Sequence, residues 1–358
     1  MTASAPSELP PTIPVSVITG FLGSGKTTLL SHMVRSPAMS DAAVIINEFG
    51  EIGLDHQLVA ASSDDIVLMS SGCLCCTIRG DLVNALRSLL ARRERGEVSR
   101  FRRVVIETTG LADPAPILHT LMDDSLVRSN YSLDGLITTV DALFGAQALD
   151  EHIESVKQVA MADRLVLTKT DLVDAPRVAS LRSRILKLNP GATVLIADCG
   201  RIEPNELLDL GLYDATTKNT QIARWLRAQA YGPPPDELHD HDHADAQSGP
   251  GHNHHDARIR AHCLVYDTPL DWRYFSPNLA SLISRHAEKL LRVKGILNVA
   301  GEPGPVVVHG VQHQFQRLRL RAWPDDDRSS KLVLITRDLD RAFVAQWLQA
   351  RRLSGEQG

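Results

Sequence analysis

The pattern of apolar and polar positions divides the chain into a long regular first part and a shorter second part. IPVSVITG (13–20), AAVIINEFG (42–50), IVLMSSG (66–72), RRVVIETTG (102–110), GLITTVDAL (135–143), RLVLTKTDL (164–172) and TVLIAD (193–198) are short, β-branched, nearly continuous apolar runs. Runs of that length and make-up read as strands buried on both faces. KTTLLSHMVRS (26–36), DLVNALRSLLARRE (81–94) and PRVASLRSRILKL (176–188) carry the helical period instead. Buried strands alternating with amphipathic helices predict an α/β fold, a mostly parallel sheet covered by helices on both faces.

The pattern breaks near residue 230. YGPPPDELHDHDHADAQSGPGHNHHDAR (231–258) offers prolines, glycines, acids and histidines and nothing to build a core, so it reads as a linker. With residues 216–229 taken as one more helix, the first domain spans 13–229, behind a leader at 1–12 and ahead of a His-rich linker at 230–257. Beyond it, 258–271 resembles a strand and 277–295 a helix. ILNVAG (296–301), PVVVHGVQHQF (305–315), RLRLRAW (317–323) and KLVLITR (331–337) read as four further strands, and 338–352 as a closing helix. That order predicts a smaller α+β domain over 258–358.

Composition narrows the function classes. A formal charge of −5 with 4% aromatic residues gives neither a phosphate-binding field nor a base-stacking surface, so no nucleic acid partner is expected. No apolar run reaches the roughly 18 residues that span a bilayer, and the N-terminus lacks the basic start and apolar core of a signal peptide. The expectation is a cytoplasmic protein with no membrane partner. Of five cysteines, Cys73, Cys75 and Cys76 crowd into four positions, a spacing that in a reducing compartment favours metal or thiol chemistry over structural disulfides.

Gly20-Phe-Leu-Gly-Ser-Gly-Lys26-Thr27 satisfies G-x-x-x-x-G-K-[ST] between a predicted strand and a predicted helix, the context this P-loop requires. Gly20, Gly23, Ser24, Gly25, Lys26, Thr27 and Thr28 are the candidate nucleotide-binding residues. The glycines let backbone N–H groups surround phosphate oxygens, Lys26 reaches the β- and γ-phosphates, and the Thr27 hydroxyl ligates Mg²⁺. Downstream, Val104-Val-Ile-Glu107-Thr-Thr-Gly110 is an apolar strand ending in an acid and then a glycine. This resembles a Walker B strand running into a second switch, which implies Glu107 near Mg²⁺ and the Gly110 amide near the γ-phosphate; the competing reading makes the acid a solvated strand-end cap. Thr168-Lys169-Thr170-Asp171 ends another strand. One carboxylate accepts both the N1–H and the exocyclic amine of guanine, and adenine offers no such pair, so Asp171 points to GTP with the Lys169 stem against the base. Thr168 stands where Asn is usual. The competing reading makes Thr170 or Asp171 the N-cap of the next helix.

Thiolates are soft ligands suited to Zn²⁺, Cu⁺ and Co²⁺. Three of them in Gly72-Cys73-Leu74-Cys75-Cys76 leave one position open, which suits transfer better than a closed structural site; a redox role for Cys75 and Cys76 is the rival. The ordered set GFLGSGKTT, NEFGEIGLD (47–55), GCLCC, ETTGLADP (107–114) and TKTD resembles the CobW family of metal-chaperone GTPases. RVKG (292–295), VVVHGVQHQF (306–315), RLRLRAWP (317–324) and LVLITRDLD (332–340) are similar to that family's C-terminal domain. The resemblance implies slow GTP hydrolysis coupled to delivery of Zn²⁺ or Co²⁺ to a client metalloprotein or chelatase, with the GCLCC cysteines as ligands. It also implies that NEFGEIGLD is the first switch, with Glu48 near Mg²⁺ or the metal site. The alternatives are a non-enzymatic metal buffer or sensor and a P-loop small-molecule kinase.

Six histidines, His239, His241, His243, His252, His254 and His255, read as a low-specificity metal-loading arm. His309 and His313 share one face of a strand-like run; packing explains them about as well as metal does, and they are not counted as ligands. Cys199 and Cys263 read as buried thiols, and His32 as structural.

Overall fold

The computed structural model describes residues 12–46, 67–70, 78–210, 258–320, 322–323 and 326–349. The NEFGEIGLD segment, the three clustered cysteines, the helix expected at 216–229 and the six linker histidines lie outside these residues.

Seven strands form one fully parallel sheet in the order β3-β2-β4-β1-β5-β6-β7. They are β1 Ile13–Gly20, β2 Ala42–Ile46, β3 Val67–Ser70, β4 Arg103–Glu107, β5 Tyr131–Asp141, β6 Arg164–Thr168 and β7 Thr193–Ile196. All seven overlap the expected runs, with β5 beginning four residues earlier than expected. Alternate residues of one strand serve opposite faces. Ala43 and Ile45 of β2 join one core cluster while Ala42, Val44 and Ile46 join the other; Leu165 and Leu167 of β6 part from Val166 in the same way. This double burial is why the strands read as continuous apolar runs rather than alternating ones.

The helices are α1 Lys26–Met33, α2 Ile78–Glu94, α3 Ala115–Asp123, α4 Ser125–Asn130, α5 Gly145–Glu151, α6 Ile153–Met161, α7 Ala175–Leu188 and α8 Pro204–Leu207. Leu29, Leu30 and Met33 of α1 cover one face with Leu207 of α8. Leu82, Leu86 and Leu89 of α2, Leu118 of α3, Val156 and Val159 of α6 and Leu181 and Ile185 of α7 cover the other.

A second sheet, antiparallel and ordered β11-β10-β9-β12-β8, comprises β8 Ile259–Tyr266, β9 Leu290–Leu297, β10 Val306–Val311, β11 Gln314–Arg319 and β12 Ser330–Arg337. Helices α9 Trp272–His286 and α10 Arg341–Gln349 pack on one face through Leu279, Leu282, Val344 and Leu348. Two expectations need correction. The helix placed over 277–295 ends at His286, and after a 3₁₀ turn the chain enters β9; Leu290 and Leu291 continue an apolar pattern that serves the sheet, not the helix. PVVVHGVQHQF is not one strand but the β10–β11 hairpin, turned at Gln312, whose φ of 50° is left-handed. His309 is therefore buried in β10 while His313 lies exposed in the turn, and the two do not share a strand face.

The other face of the second sheet lies on the first domain, and Ile259, Leu291, Val311 and Ile335 join the core cluster of the parallel sheet. An ion cluster is set into this contact. Asp163, just before β6, accepts from Arg292 Nη2 at 3.0 and 3.1 Å and from Lys294 Nζ at 2.7 Å, and all three side chains are almost fully buried. The carboxylate also accepts the Leu136 amide of β5 at 3.0 Å. Burial works to raise the Asp163 pKa, but the two cations outweigh it and hold it below the usual carboxylate range. Burial draws Lys294 down to about 8 against the pull of Asp163. Burial, with Arg292 and Lys294 nearby, pushes His309 well below its ordinary value, so its ring stays neutral in the interface.

Removing one partner of a buried ion pair costs about 3–5 kcal/mol because the remaining charge stays buried. Asp163→Asn is expected to lower the unfolding free energy by that amount, read as a lower urea midpoint; a change below about 1 kcal/mol would show that the cluster does not clamp the sheets. The folded Asp163 pKa lies below the unfolded one. The contribution is therefore fully present above about pH 4 and is lost as pH falls below it.

Candidate functional site

The phosphate loop leaves β1 where only glycine fits. Gly20 has φ 143°, and a Cβ there would lie 2.3 Å from Thr139 Oγ1 and 2.5 Å from Thr139 O of the neighbouring β5. Gly23 (φ 69°) and Gly25 (φ 90°) also occupy the left-handed region that β-carbons disfavour. Ser24 N donates to Phe21 O at 3.1 Å to close the turn, and α1 starts at Lys26. The loop thus ends on a helix N-terminus, whose first-turn amides and dipole favour phosphate. Lys26 is buried and folds its ammonium over the loop, donating to Gly20 O at 2.9 Å and Phe21 O at 3.1 Å. Phosphate oxygens at that place give it charge-assisted acceptors, which are stronger than neutral carbonyls.

Parallel register brings the second acid beside the loop. Ile18 of β1 pairs with Glu107 of β4, and Thr27 Oγ1 donates to Glu107 Oε1 at 2.7 Å. A hydroxyl and a carboxylate are hard oxygen donors of the kind Mg²⁺ takes, so the pair fits that ion. Thr108 continues the contact, donating from its amide to Ile18 O at 2.9 Å and from its hydroxyl to Thr19 Oγ1 at 2.8 Å. Gly110 then passes so close to the loop that a Cβ would lie 2.7 Å from Leu22.

At the end of β6, Thr168 Oγ1 donates to Ser24 O at 2.7 Å, and its side chain lies 3.5 Å from where a Gly25 Cβ would be. The threonine in the usual asparagine position therefore ties the strand to the phosphate loop. Lys169, held at φ 55°, donates to Asp141 Oδ2 at 2.6 Å. Asp171 stands exposed in the 3₁₀ turn Thr170–Leu172. The rival capping role falls to another residue, because Asp174 caps α7 by accepting the Arg177 amide at 3.0 Å.

The structure therefore brings together Gly20, Gly23, Ser24, Gly25, Lys26, Thr27, Glu107, Gly110, Thr168 and Lys169. Thr28 is exposed on α1, where its Cγ2 would lie 2.8 Å from a Cβ on Gly200. Cys199, expected buried, is exposed at φ 50°, because the chain turns tightly after β7. Cys263 is partly buried, and burial raises its thiol pKa. Among the described residues no group of three metal-ligating side chains occurs, so Cys73, Cys75, Cys76 and Glu48 remain sequence expectations.

Sequence reading missed the supports behind the loop. Gln158 of α6 donates from Nε2 to Gly110 O at 3.2 Å and Ala112 O at 3.0 Å, and Lys157 pairs with Asp113 at 2.7 Å. Asp141 both pairs with Lys169 and accepts the Leu143 amide at 2.7 Å. Only Asp141, the acid that ends β5, and Asp113, within ETTGLADP just before α3, carried a signal.

Thr168→Val keeps the shape and leaves the buried Ser24 carbonyl without this donor, a loss of about 1–3 kcal/mol in stability. Nucleotide affinity is expected to fall as well, since the carbonyl belongs to the loop. A thermal melt and a nucleotide titration check both, and unchanged affinity would mean that Thr168 does not support the loop.

Known proteins resemble the chain along most of its length. The CobW/HypB/UreG nucleotide-binding domain matches residues 14–196, and the C-terminal domain of the cobalamin synthesis protein CobW matches residues 259–352. The zinc chaperone YjiA of Escherichia coli is 35% identical over 323 residues, covering 90% of this chain and 93% of the relative. The zinc chaperone CobW of a Sinorhizobium species is 29% identical over 364 residues, covering 93% and 95%. The crystal structure of Zn(II)-bound YjiA GTPase from E. coli is similar with a TM-score of 0.69 at 27% identity, covering 95% of this chain and 99% of that one. Phosphate loop, Thr27–Glu107 pair and second sheet all lie within the matched regions, and this chain belongs to the CobW family.

Proposed function

We propose that this protein is a GTP-hydrolysing metallochaperone that carries Zn²⁺ or Co²⁺ on Cys73, Cys75 and Cys76 and hands it to a client metalloprotein or chelatase in the cytoplasm. The supporting observation is a line of register across the sheet: Ile18, Glu107, Ile46 and Ser70 pair in turn across β1, β4, β2 and β3. Adjacent strands lie about 4.8 Å apart, so Ser70 ends its strand about 10 Å from Glu107. Three residues of chain reach at most about 10 Å, which tethers Cys73 near the edge that holds the nucleotide. Ile46 ends its strand at the same edge, and Asn47 and Glu48 follow it in the sequence.

Lys26 and the loop amides bind the phosphates, and Asp171 with Lys169 selects guanine. Thr27 and Glu107 hold Mg²⁺, which when bound neutralises charge on the β- and γ-phosphates. Segments 47–55 and 107–114 order around the γ-phosphate and complete the tight cysteine site, with Glu48 beside it. Hydrolysis releases both segments, loosens the site and frees the metal. Hydrolysis is slow in the isolated chain and quickened by the client. No described helix is long and apolar enough to cross a membrane.

Zinc titrations with GTP, with GDP and without nucleotide test this reading. Affinity is expected to be at least about tenfold tighter with GTP, or about 1.4 kcal/mol. It is also expected to fall as pH drops, because the thiols must lose protons to bind. Equal affinity in all three states points to a buffer or sensor. Tight binding by Cys75→Ala would move the site away from the cluster.

A further inference from the structure

A cavity of about 500 Å³ opens where the two domains meet, at the edge of the parallel sheet away from the nucleotide site. Thr12 and Tyr131 line it where β1 and β5 begin, and Gln314 to Leu318 of β11 line it from the second domain. The phosphate loop leaves β1 at its other end, eight residues or about 25 Å of strand away. Gln316 donates to Met122 O of α3 and ties the two walls together.

The cavity collects positive charge. Arg128 of α4 lines it from the first domain and Arg317 of β11 from the second, and Asp123 is the one acid among the described lining residues. Both arginines are exposed, so their donors are open to a ligand. Neither guanidinium makes an ion pair or a hydrogen bond with another described residue. Arg317 is held by its face instead, with Cζ 5.5 Å from the centroid of the Trp272 ring. A guanidinium on an aromatic face keeps its in-plane N–H groups for an acceptor, and those groups match a carboxylate or phosphate through two parallel hydrogen bonds. Two like charges on one cavity repel each other, and an anion between them removes that cost.

The remaining wall suits an organic body. Gln314 and Ser132, both half-buried, add an amide and a hydroxyl. Tyr131 and Phe315 supply apolar surface beside them, the Tyr131 hydroxyl being engaged with Leu86 O at 2.9 Å. An apolar wall with a few polar groups at a domain boundary is the make-up of a small-molecule site.

We propose that this cavity binds a small organic dianion, a phosphate monoester or a dicarboxylate with an apolar body, clasped by Arg128 from the first domain and Arg317 from the second.

Phenyl phosphate and phthalate are the probes, one a phosphate monoester and the other a dicarboxylate. The full chain, saturated with GDP and Mg²⁺ so that the phosphate loop is filled, is titrated with each by ligand-observed NMR. At least one is expected to bind, and the tighter of the two tells which oxyanion the arginines take. Phenol, a ring without the charge, is expected to bind at least about tenfold more weakly. Arg128→Ala and Arg317→Ala are each expected to weaken dianion binding about tenfold or more, the worth of a hydrogen bond to a charged group. Arg182→Ala, which removes an exposed arginine of α7 outside the lining, is expected to leave it within about twofold. All three changes are at exposed positions, and a cooperative thermal melt checks that each variant folds. Binding of neither dianion, phenol binding as tightly as the dianions, or affinity unchanged in both cavity variants would overturn the site. So would an equal loss in Arg182→Ala, which is the mark of diffuse charge attraction.

Discussion

The close passage of β1 against β5 at Gly20 governs the geometry of the site. A side chain on Gly20 would meet Thr139 Oγ1 at 2.3 Å, so the strand can leave the sheet there only as bare backbone. From that point the loop has one way to go, over the edge of the sheet and into α1. Three elements hold it in place: Thr139, whose hydroxyl meets Ser24 Oγ at 2.7 Å; Thr168, which donates to Ser24 O; and Glu107, which receives Thr27. These supports come from β5, β6 and β4, which lie beside or near β1 in one parallel sheet. In a parallel sheet all strands end on the same edge, so a single register brings loop, acid and base-recognition turn together.

Behind that edge the second domain is part of the same packed body. Asp163 sits at the entry to β6, one strand length from Thr168, and binds both cations of β9 as well as the Leu136 amide of β5. A carboxylate with two buried cations tolerates little sliding, because any separation leaves charge in a low dielectric. The apolar contact around it is continuous with the first core through Leu291 and Val311. The two sheets are thus joined by a specific polar contact inside a non-specific apolar one.

Legibility in the sequence followed the range of the interaction. The central strands were readable because they are buried on both faces, and the phosphate loop because glycine, lysine and threonine have few substitutes there. Helices α3, α5 and α6 were not separated from their surroundings. Each is only seven to nine residues long, too short for a helical period to stand out from the runs around it. The apolar run through Leu290–Leu297 was split between a helix and a strand, since short apolar runs do not declare their period. Gln158 left no trace, because a clasp on two carbonyls 46 and 48 residues away depends wholly on tertiary structure. Thr168 looked like a defect in the guanine motif; its bond to Ser24 O shows what the hydroxyl does there.

The segment 107–114 connects the phosphate loop to the helices that carry the second domain. It begins at the acid beside Thr27 and passes Leu22 at Gly110. It is held by Gln158 and Lys157 of α6, and it runs directly into α3. Helix α3 in turn docks on the β10–β11 hairpin. His119 Nε2 meets Val311 O at 3.0 Å, His119 packs on His313 with ring centroids 4.2 Å apart, and Gln316 donates to Met122 O. A displacement at Gly110 must therefore either break the Gln158 clasp or carry α3 and α6 with it. Both helices abut the second sheet, α6 next to the Asp163 cluster and α3 at the hairpin. Packed elements of this kind shift between discrete arrangements rather than deform smoothly. The C-terminal domain thus packs on α3 and α6, the helices that adjoin and hold the segment beside the phosphate loop.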